Sequence, residues 1–256
     1  MTRIFSALYS ACVYLFFFVT FLYAVGFVEG AFVPKAIDSG APGALLPSLA
    51  IDLALLSVFA VQHSLMARPA FKRAWTRLVP KPVERSTYVL FASLALALVF
   101  WGWRPIPQLV WDIRTFPAAD VVQGLSYAGW TMVLLSTFMI SHFHLFGLSQ
   151  GFAGLRDGDQ PEPEFTTPMF YRFIRHPIYA GFIIAFWAAP QMSVGHLVFA
   201  LATTGYILIG IWLEERDLIA QHGFRYLQYR MRVGMLVPKL RPRPHPAIPA
   251  AKEGLG

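Results

Sequence analysis

Six runs of apolar residues, each near the length that crosses a bilayer, leave this chain little choice of fold. They cover roughly residues 6–28, 45–66, 87–103, 121–146, 178–193 and 196–213. About 20 apolar residues in an α-helix span the hydrocarbon core, so the sequence predicts an all-α, polytopic transmembrane bundle of five to six spans. The fifth run is the shortest and carries Pro190 near its end, so runs five and six are expected to form a tight hairpin that only just crosses. A chain that is 56% apolar and only 14% charged does not make an ordinary soluble domain. The first run is long and aromatic, and no small-residue cleavage pattern follows it, so it is expected to stay as a span rather than act as a signal peptide.

The net charge of +7 would suit nucleic acid if it were spread over one face, but the basic residues fall in blocks beside the apolar runs. Placing the loops alternately puts Lys35, Arg104 and Arg114 on one side and the other eighteen of the 21 Lys and Arg residues on the opposite side. The positive-inside rule then predicts both termini of this multi-pass chain in the cytoplasm. Nucleic acid is not an expected partner. The single Cys12 rules out an internal disulfide and a cysteine metal cluster. The segment 68–85 reads as a short interfacial element, and the acidic, proline-rich stretch 157–164 as a solvated cover. After residue 213 the sixth run continues as a polar helix to a stop at Gly223. Residues 224–232 mix aromatic and Arg side chains in the pattern of a helix lying in the membrane interface. One integral-membrane domain over 1–240 and a disordered proline-rich tail over 241–256 are expected. The sequence sets no oligomeric state.

Ionisable groups in membrane helices are costly and therefore functional candidates. Four places qualify, and the topology puts all four at one membrane level. In the stretch 172–181 a polar loop turns into the fifth apolar run, and Arg175-His176-Pro177 stands at the turn. Pro177 suits the first helical position, the N–H groups that follow make a small anion site, and Arg175 and His176 add side-chain donors. Tyr179 lies one turn inside, and Gly181 permits a close approach to the backbone. Glu214-Glu215-Arg216 closes the sixth run. Gln62-His63-Ser64 ends the second, and Ser141-His142-Phe143-His144 ends the fourth. His142 and His144 point about 200° apart on a helix, so the two are not expected to serve one site. Asp52 reads as a helix-packing partner, and His196 and His245 as incidental.

Arg175-His176-Pro177-x-Tyr179-x-Gly181, followed by Glu214-Glu215-Arg216, Tyr226, Tyr229 and Val237-Pro238, resembles the membrane methyltransferases that include isoprenylcysteine carboxyl methyltransferase and the phospholipid N-methyltransferases. Sterol reductases of a related membrane fold carry a similar stretch. Earlier segments narrow the choice: Val33-Pro34-Lys35-x-Ile37-Asp38-Ser39-Gly40, Gln62-His63-Ser64-x-Met66-Ala67-Arg68, Glu84-Arg85-Ser86-x-Tyr88 and His142-Phe143-x-Leu145-Phe146-Gly147-Leu148 are similar to the bacterial methanethiol S-methyltransferases. The chain departs from that family at His144, a position usually acidic there. The resemblance implies an S-adenosylmethionine-dependent enzyme that methylates a small volatile thiol, methanethiol, to dimethyl sulfide at the cytoplasmic face. It also implies a cofactor site that includes Arg175, His176, Tyr179, Gly181, Glu214 and Glu215.

The residue types suit that cofactor. Arg175, His176 and the helix start can hold its α-carboxylate, and Glu214 or Glu215 can meet its ammonium or ribose hydroxyls. No glycine-rich nucleotide motif is present and no metal site is expected. A small thiol would enter from the bilayer. It must lose a proton to become a nucleophile, and His63 is the first candidate base, with His142 second. Two alternatives remain open at this stage: methyl transfer to a larger lipid or prenylated acceptor, and a haem-binding membrane protein of nitrogen-oxide metabolism with His63 and His142 or His144 as axial ligands.

Overall fold

The computed structural model describes residues 3–155 and 166–239, so the acidic stretch 157–164, His245 and the proline-rich tail lie outside the described residues. Among the described residues, four helices are long and apolar enough to cross a membrane: α1 (Arg3–Glu29), α2 (Leu45–Ala67), α4 (Lys81–Gly102) and α9 (Val194–His222). The predicted interfacial element between α2 and α4 is the short helix α3 (Pro69–Trp75). Helix α5 (Ala118–Met139) matches the spans in length. The chain is thus an all-α polytopic bundle, as its apolar runs require. A two-stranded ribbon is added at the end of the bundle far from Arg3, where β1 (Leu109–Asp112) pairs antiparallel with β2 (Gln191–Ser193).

Two of the six runs are broken. The fourth stops at Met139, where Ser141 takes a positive φ of 89°, and the chain resumes as the short helices α6 (His142–Leu145) and α7 (Leu148–Ala153). The fifth becomes α8 (Pro177–Trp187), whose 11 residues are too few to cross on their own. At 1.5 Å per residue they reach about 16 Å against a hydrocarbon core of about 30 Å. Pro190 explains the stop, because it has no N–H to give a helix and disfavours helical backbone at Ala189. The carbonyls so released are taken up by the β1 segment: Trp111 Nε1 donates to Ala189 O at 2.9 Å, and Ile113 N–H donates to Pro190 O at 2.8 Å. Broken helices persist at membrane depth only when neighbours satisfy the backbone in this way.

Helix α8 is held against α5 by small residues. A Cβ on Gly129 would lie 2.6 Å from Ala185 N and 2.7 Å from Gly181 O, and one on Gly181 would lie 2.7 Å from Gly129 O. The close approach that Gly181 allows is therefore that of α5, in the manner of small-residue interfaces between membrane helices. Ser126 Oγ adds a hydrogen bond to Ala185 O at 2.9 Å. Gly129→Ala is expected to force the two backbones apart and to lower stability by about 1–3 kcal/mol, the usual range for overpacking. Thermal unfolding of the purified variant in detergent checks this; an unchanged midpoint would mean that the crossing is loose.

An aromatic core of Phe27, Phe100, Trp103, Trp130, Phe186 and Phe199 fills the half of the bundle away from Arg3. Asp52 belongs to that half and is fully buried; its Oδ1 accepts the Arg104 N–H at 2.8 Å, tying α2 to the end of α4 as a packing partner. The opposite half carries His63, Arg175, His176, Glu214 and Glu215. Helix α9 runs on past the bundle to Gly223, and α10 (Phe224–Arg232) turns back beneath it over the residues expected of an interfacial helix.

Candidate active site

Arg175, His176 and Glu215 form the centre of the polar half. Pro177 opens α8 and leaves His176 at its N-cap, while the strand-like stretch before it pairs with the chain after α10. Arg175 N–H donates to Gly234 O at 2.8 Å and His176 N–H to Met235 O at 3.1 Å. The two side chains then turn to α9. Arg175 Nε donates to Glu215 Oε1 at 2.7 Å, and Arg175 Nη1 donates to Val233 O at 2.5 Å and Arg230 O at 3.2 Å. His176 Nε2 lies 3.2 Å from the same Glu215 oxygen, and Arg230 Nε lies 3.1 Å from the other. The Arg175 and Glu215 side chains are each only 7% exposed, so this is a buried charge network. It holds two guanidinium groups against one carboxylate.

Glu214 is placed differently. Its side chain is 44% exposed, and His176 Nδ1 lies 3.9 Å from its Oε2. Tyr179 faces it from α8, and the Tyr179 ring packs on His176 with centroids 5.7 Å apart. Tyr171 lies close by, where burial first and the Glu214 charge second raise its phenol above the ordinary range. Tyr229 closes this side from α10: its hydroxyl donates to Tyr171 O at 2.6 Å, and burial pushes its pKa up to about 12. These phenols stay neutral hydrogen-bonding groups at physiological pH. Of the two adjacent glutamates that the sequence offers as equals, one is consumed by the fold and one is open to a ligand.

His63 belongs to the neighbouring layer. Its ring edge faces the Tyr88 hydroxyl, 2.9 Å from Nε2 and 3.2 Å from Nδ1. Phe59, one turn earlier on α2, stacks on the same ring at 5.3 Å. Tyr206 of α9 meets it edge-on at 6.5 Å and accepts a hydrogen bond from Ser64 Oγ at 3.2 Å. Just beyond, Arg68 Nη1 and Asp217 Oδ2 pair at 2.9 Å, fastening the end of α2 to α9. Tyr206 sits two turns before Glu214 on α9, and Tyr179 lies within electrostatic reach of Tyr206 and Tyr88. A continuous band of polar side chains therefore runs from His63 to Glu214.

His142 stands apart from this band. It is buried, with Nε2 at 2.8 Å from Tyr14 Oη and Nδ1 at 2.7 Å from Thr137 Oγ1, and its ring stacks on Phe138 at 4.1 Å. Both ring nitrogens are thus engaged, and the residue links α1 to the broken end of α5. Tyr88 entered the sequence reading only through the family resemblance, and Tyr171, Tyr206, Arg230 and the carbonyls at 233–235 were not singled out there as site residues. Tyr206 could have been found, since its offset of eight residues from Glu214 puts both on one face of a helix. The carbonyls carry no sequence signal at all.

No protein-family model matches this chain, and no solved structure does. Curated relatives are nevertheless similar over nearly its whole length. The chain is 54% identical to methanethiol S-methyltransferase 1 of Bradyrhizobium diazoefficiens over 90% of this chain and 81% of that protein. It is 48% identical to methanethiol S-methyltransferase of Mycobacterium tuberculosis over 93% and 98% of the two chains. More distantly, it is 32% identical to Nurim of Rattus norvegicus over 73% and 72%. Identity at that level, sustained from the first span to the interfacial helix, shows that the chain belongs to the methanethiol S-methyltransferase family.

Proposed function

We propose that the protein transfers the methyl group of S-adenosylmethionine to methanethiol, forming dimethyl sulfide, at the cytoplasmic face of a bacterial inner membrane. The observation that carries this reading is the division of labour between the two glutamates. With Glu215 neutralised twice over, the Arg175–Glu215–Arg230 network keeps an excess of positive charge that suits an α-carboxylate. Glu214, half-exposed and ringed by Tyr171 and Tyr179, suits an α-ammonium or ribose hydroxyls. Opposite charges a few ångströms apart at the start of a helix fit the two ends of an amino-acid moiety. Basic residues cluster on the same side as this site, which supports the cytoplasmic assignment.

When bound, S-adenosylmethionine supplies an electrophilic methyl group on a sulfonium centre. The chain's own task is then to bring a thiol to that group and to take its proton. His63 is the residue best placed to do so, because Phe59 fixes the plane of its ring and Tyr88 fixes its edge. His142 is less suited, since both its nitrogens are already engaged. Membranes containing the protein, supplied with methanethiol and S-adenosylmethionine, are expected to release dimethyl sulfide into the headspace. Membranes with a Glu214→Ala variant are expected to release far less. Equal headspace signals from protein-free membranes would remove the proposal.

A further inference from the structure

At the opposite end of the bundle a groove of about 390 Å³ opens beside α1, far from the site above. Its size lies in the range of small-molecule sites, about 300–1,000 Å³. Among the α1 residues lining it, Val19, Leu22, Tyr23, Gly26 and Glu29 are linked by steps of three or four positions and form one stripe along the helix. Tyr127 and Phe32 form the other wall, and Val19, Leu22, Phe32 and Tyr127 are all exposed. The stripe has one polar end, Glu29. From Val19 to Glu29 is about 15 Å, and the whole of α1 rises about 39 Å against a hydrocarbon core of about 30 Å. Glu29 therefore lies at headgroup level, and the apolar wall runs from it down into the hydrocarbon.

The environment of that carboxylate is unusual. Trp130 Nε1 donates to Glu29 Oε1 at 2.6 Å, Ser126 Oγ lies 2.6 Å from the same oxygen, and Gln123 Nε2 donates to Oε2. All three partners are neutral. Among the described residues no Lys, Arg or His forms an ion pair with it, although Arg68, Lys72, Arg114, Arg175 and Arg230 all pair with other carboxylates. A carboxylate at a membrane edge with no opposite charge is a costly arrangement, and such groups usually face a partner. Here a carboxylate bonded only to neutral side chains and an apolar trough are laid end to end along the membrane normal.

We infer that this groove binds a bilayer glycerophospholipid with a primary-ammonium headgroup, such as phosphatidylethanolamine. The ammonium would meet Glu29 and an acyl chain would lie along Val19, Leu22 and Tyr23. Depth, polarity and charge order match that ligand from top to bottom. A primary ammonium can also donate hydrogen bonds to the carboxylate, which a glycerol headgroup beneath an anionic phosphate cannot match in charge.

The test uses the full chain in nanodiscs of equal parts phosphatidylethanolamine and phosphatidylglycerol with identical acyl chains, followed by native mass spectrometry of the lipid retained. Wild-type protein is expected to keep the ethanolamine lipid in about tenfold excess, the lower end for a charge-assisted hydrogen bond. Glu29→Gln is expected to bring the ratio to that of the disc; Gln123 can turn its amide to accept the new N–H, so the α1–α5 contact survives. Leu22→Trp, which fills the trough and leaves the carboxylate, is expected to lose the retained lipid altogether. An equal ratio in wild-type protein, or the same excess in Glu29→Gln, overturns the inference and leaves Glu29 as a fastening between helices.

Discussion

Arg175→Ala is expected to lower stability by about 3–5 kcal/mol, the range for breaking a buried ion pair by removing one partner. The substitution leaves Glu215 buried with only Arg230 and His176, and it releases the Val233 and Arg230 carbonyls. The junction between Ile174 and Gly234 should then open, and α10 should lose its seat beneath α9. Cofactor affinity should fall together with the thermal midpoint. Glu214→Ala should behave differently. Its side chain is half-exposed and makes no buried ion pair, so the midpoint should stay near wild type. S-adenosylmethionine affinity should nevertheless drop roughly ten- to a hundredfold, the loss of one charge-assisted hydrogen bond. Calorimetric titration and thermal unfolding of the two purified variants separate the roles. A normal melting midpoint for Arg175→Ala combined with lost binding would show that Arg175 serves the ligand and that α10 is held by other contacts.

The second large effect is expected on turnover. His63→Ala should keep S-adenosylmethionine binding and reduce turnover by roughly 10²–10⁴, the usual contribution of a general base. The defect should shrink as pH approaches the thiol pKa of about 8.5 or above, because the thiolate then forms without help. Tyr88→Phe should give a smaller loss of the same kind, since it removes the hydroxyl that faces the ring edge but leaves the imidazole and its stacking on Phe59. Headspace measurement of dimethyl sulfide across a pH series reads both variants. A pH-independent defect in His63→Ala would assign the residue to packing, and turnover close to wild type would rule it out as the base.

Much of this molecule was legible before folding was considered. Apolar runs of spanning length dictated a helical bundle, because a helix satisfies its own backbone inside hydrocarbon. The blocks of Lys and Arg grouped four polar places at one membrane level, and the structure brings three of them into one band: His63, Arg175 with His176, and Glu214 with Glu215. Gly223 and the Phe224–Arg232 helix fall where turn chemistry and side-chain pattern put them. The short fifth run with Pro190 foreshadowed α8, although not that the carbonyl of Ala189 would be taken up by Trp111, 78 residues earlier.

Other features were decided only by tertiary structure. Glu214 and Glu215 are neighbours in sequence with the same chemistry, but successive positions on a helix point about 100° apart. That rotation turns Glu215 into the Arg175–Arg230 network and leaves Glu214 facing Tyr179. Gly181 reads in sequence as room for a ligand, and in the fold the room is taken by Gly129 of α5. His142 reads in sequence as the second candidate base after His63, yet Tyr14, 128 residues away, occupies one of its nitrogens. The sequence by itself determined which residue types are present and at what depth, because hydrophobicity and charge act locally on each segment. Which of them meet depends on the rotation of each helix about its axis, and that is set by close packing with the other helices.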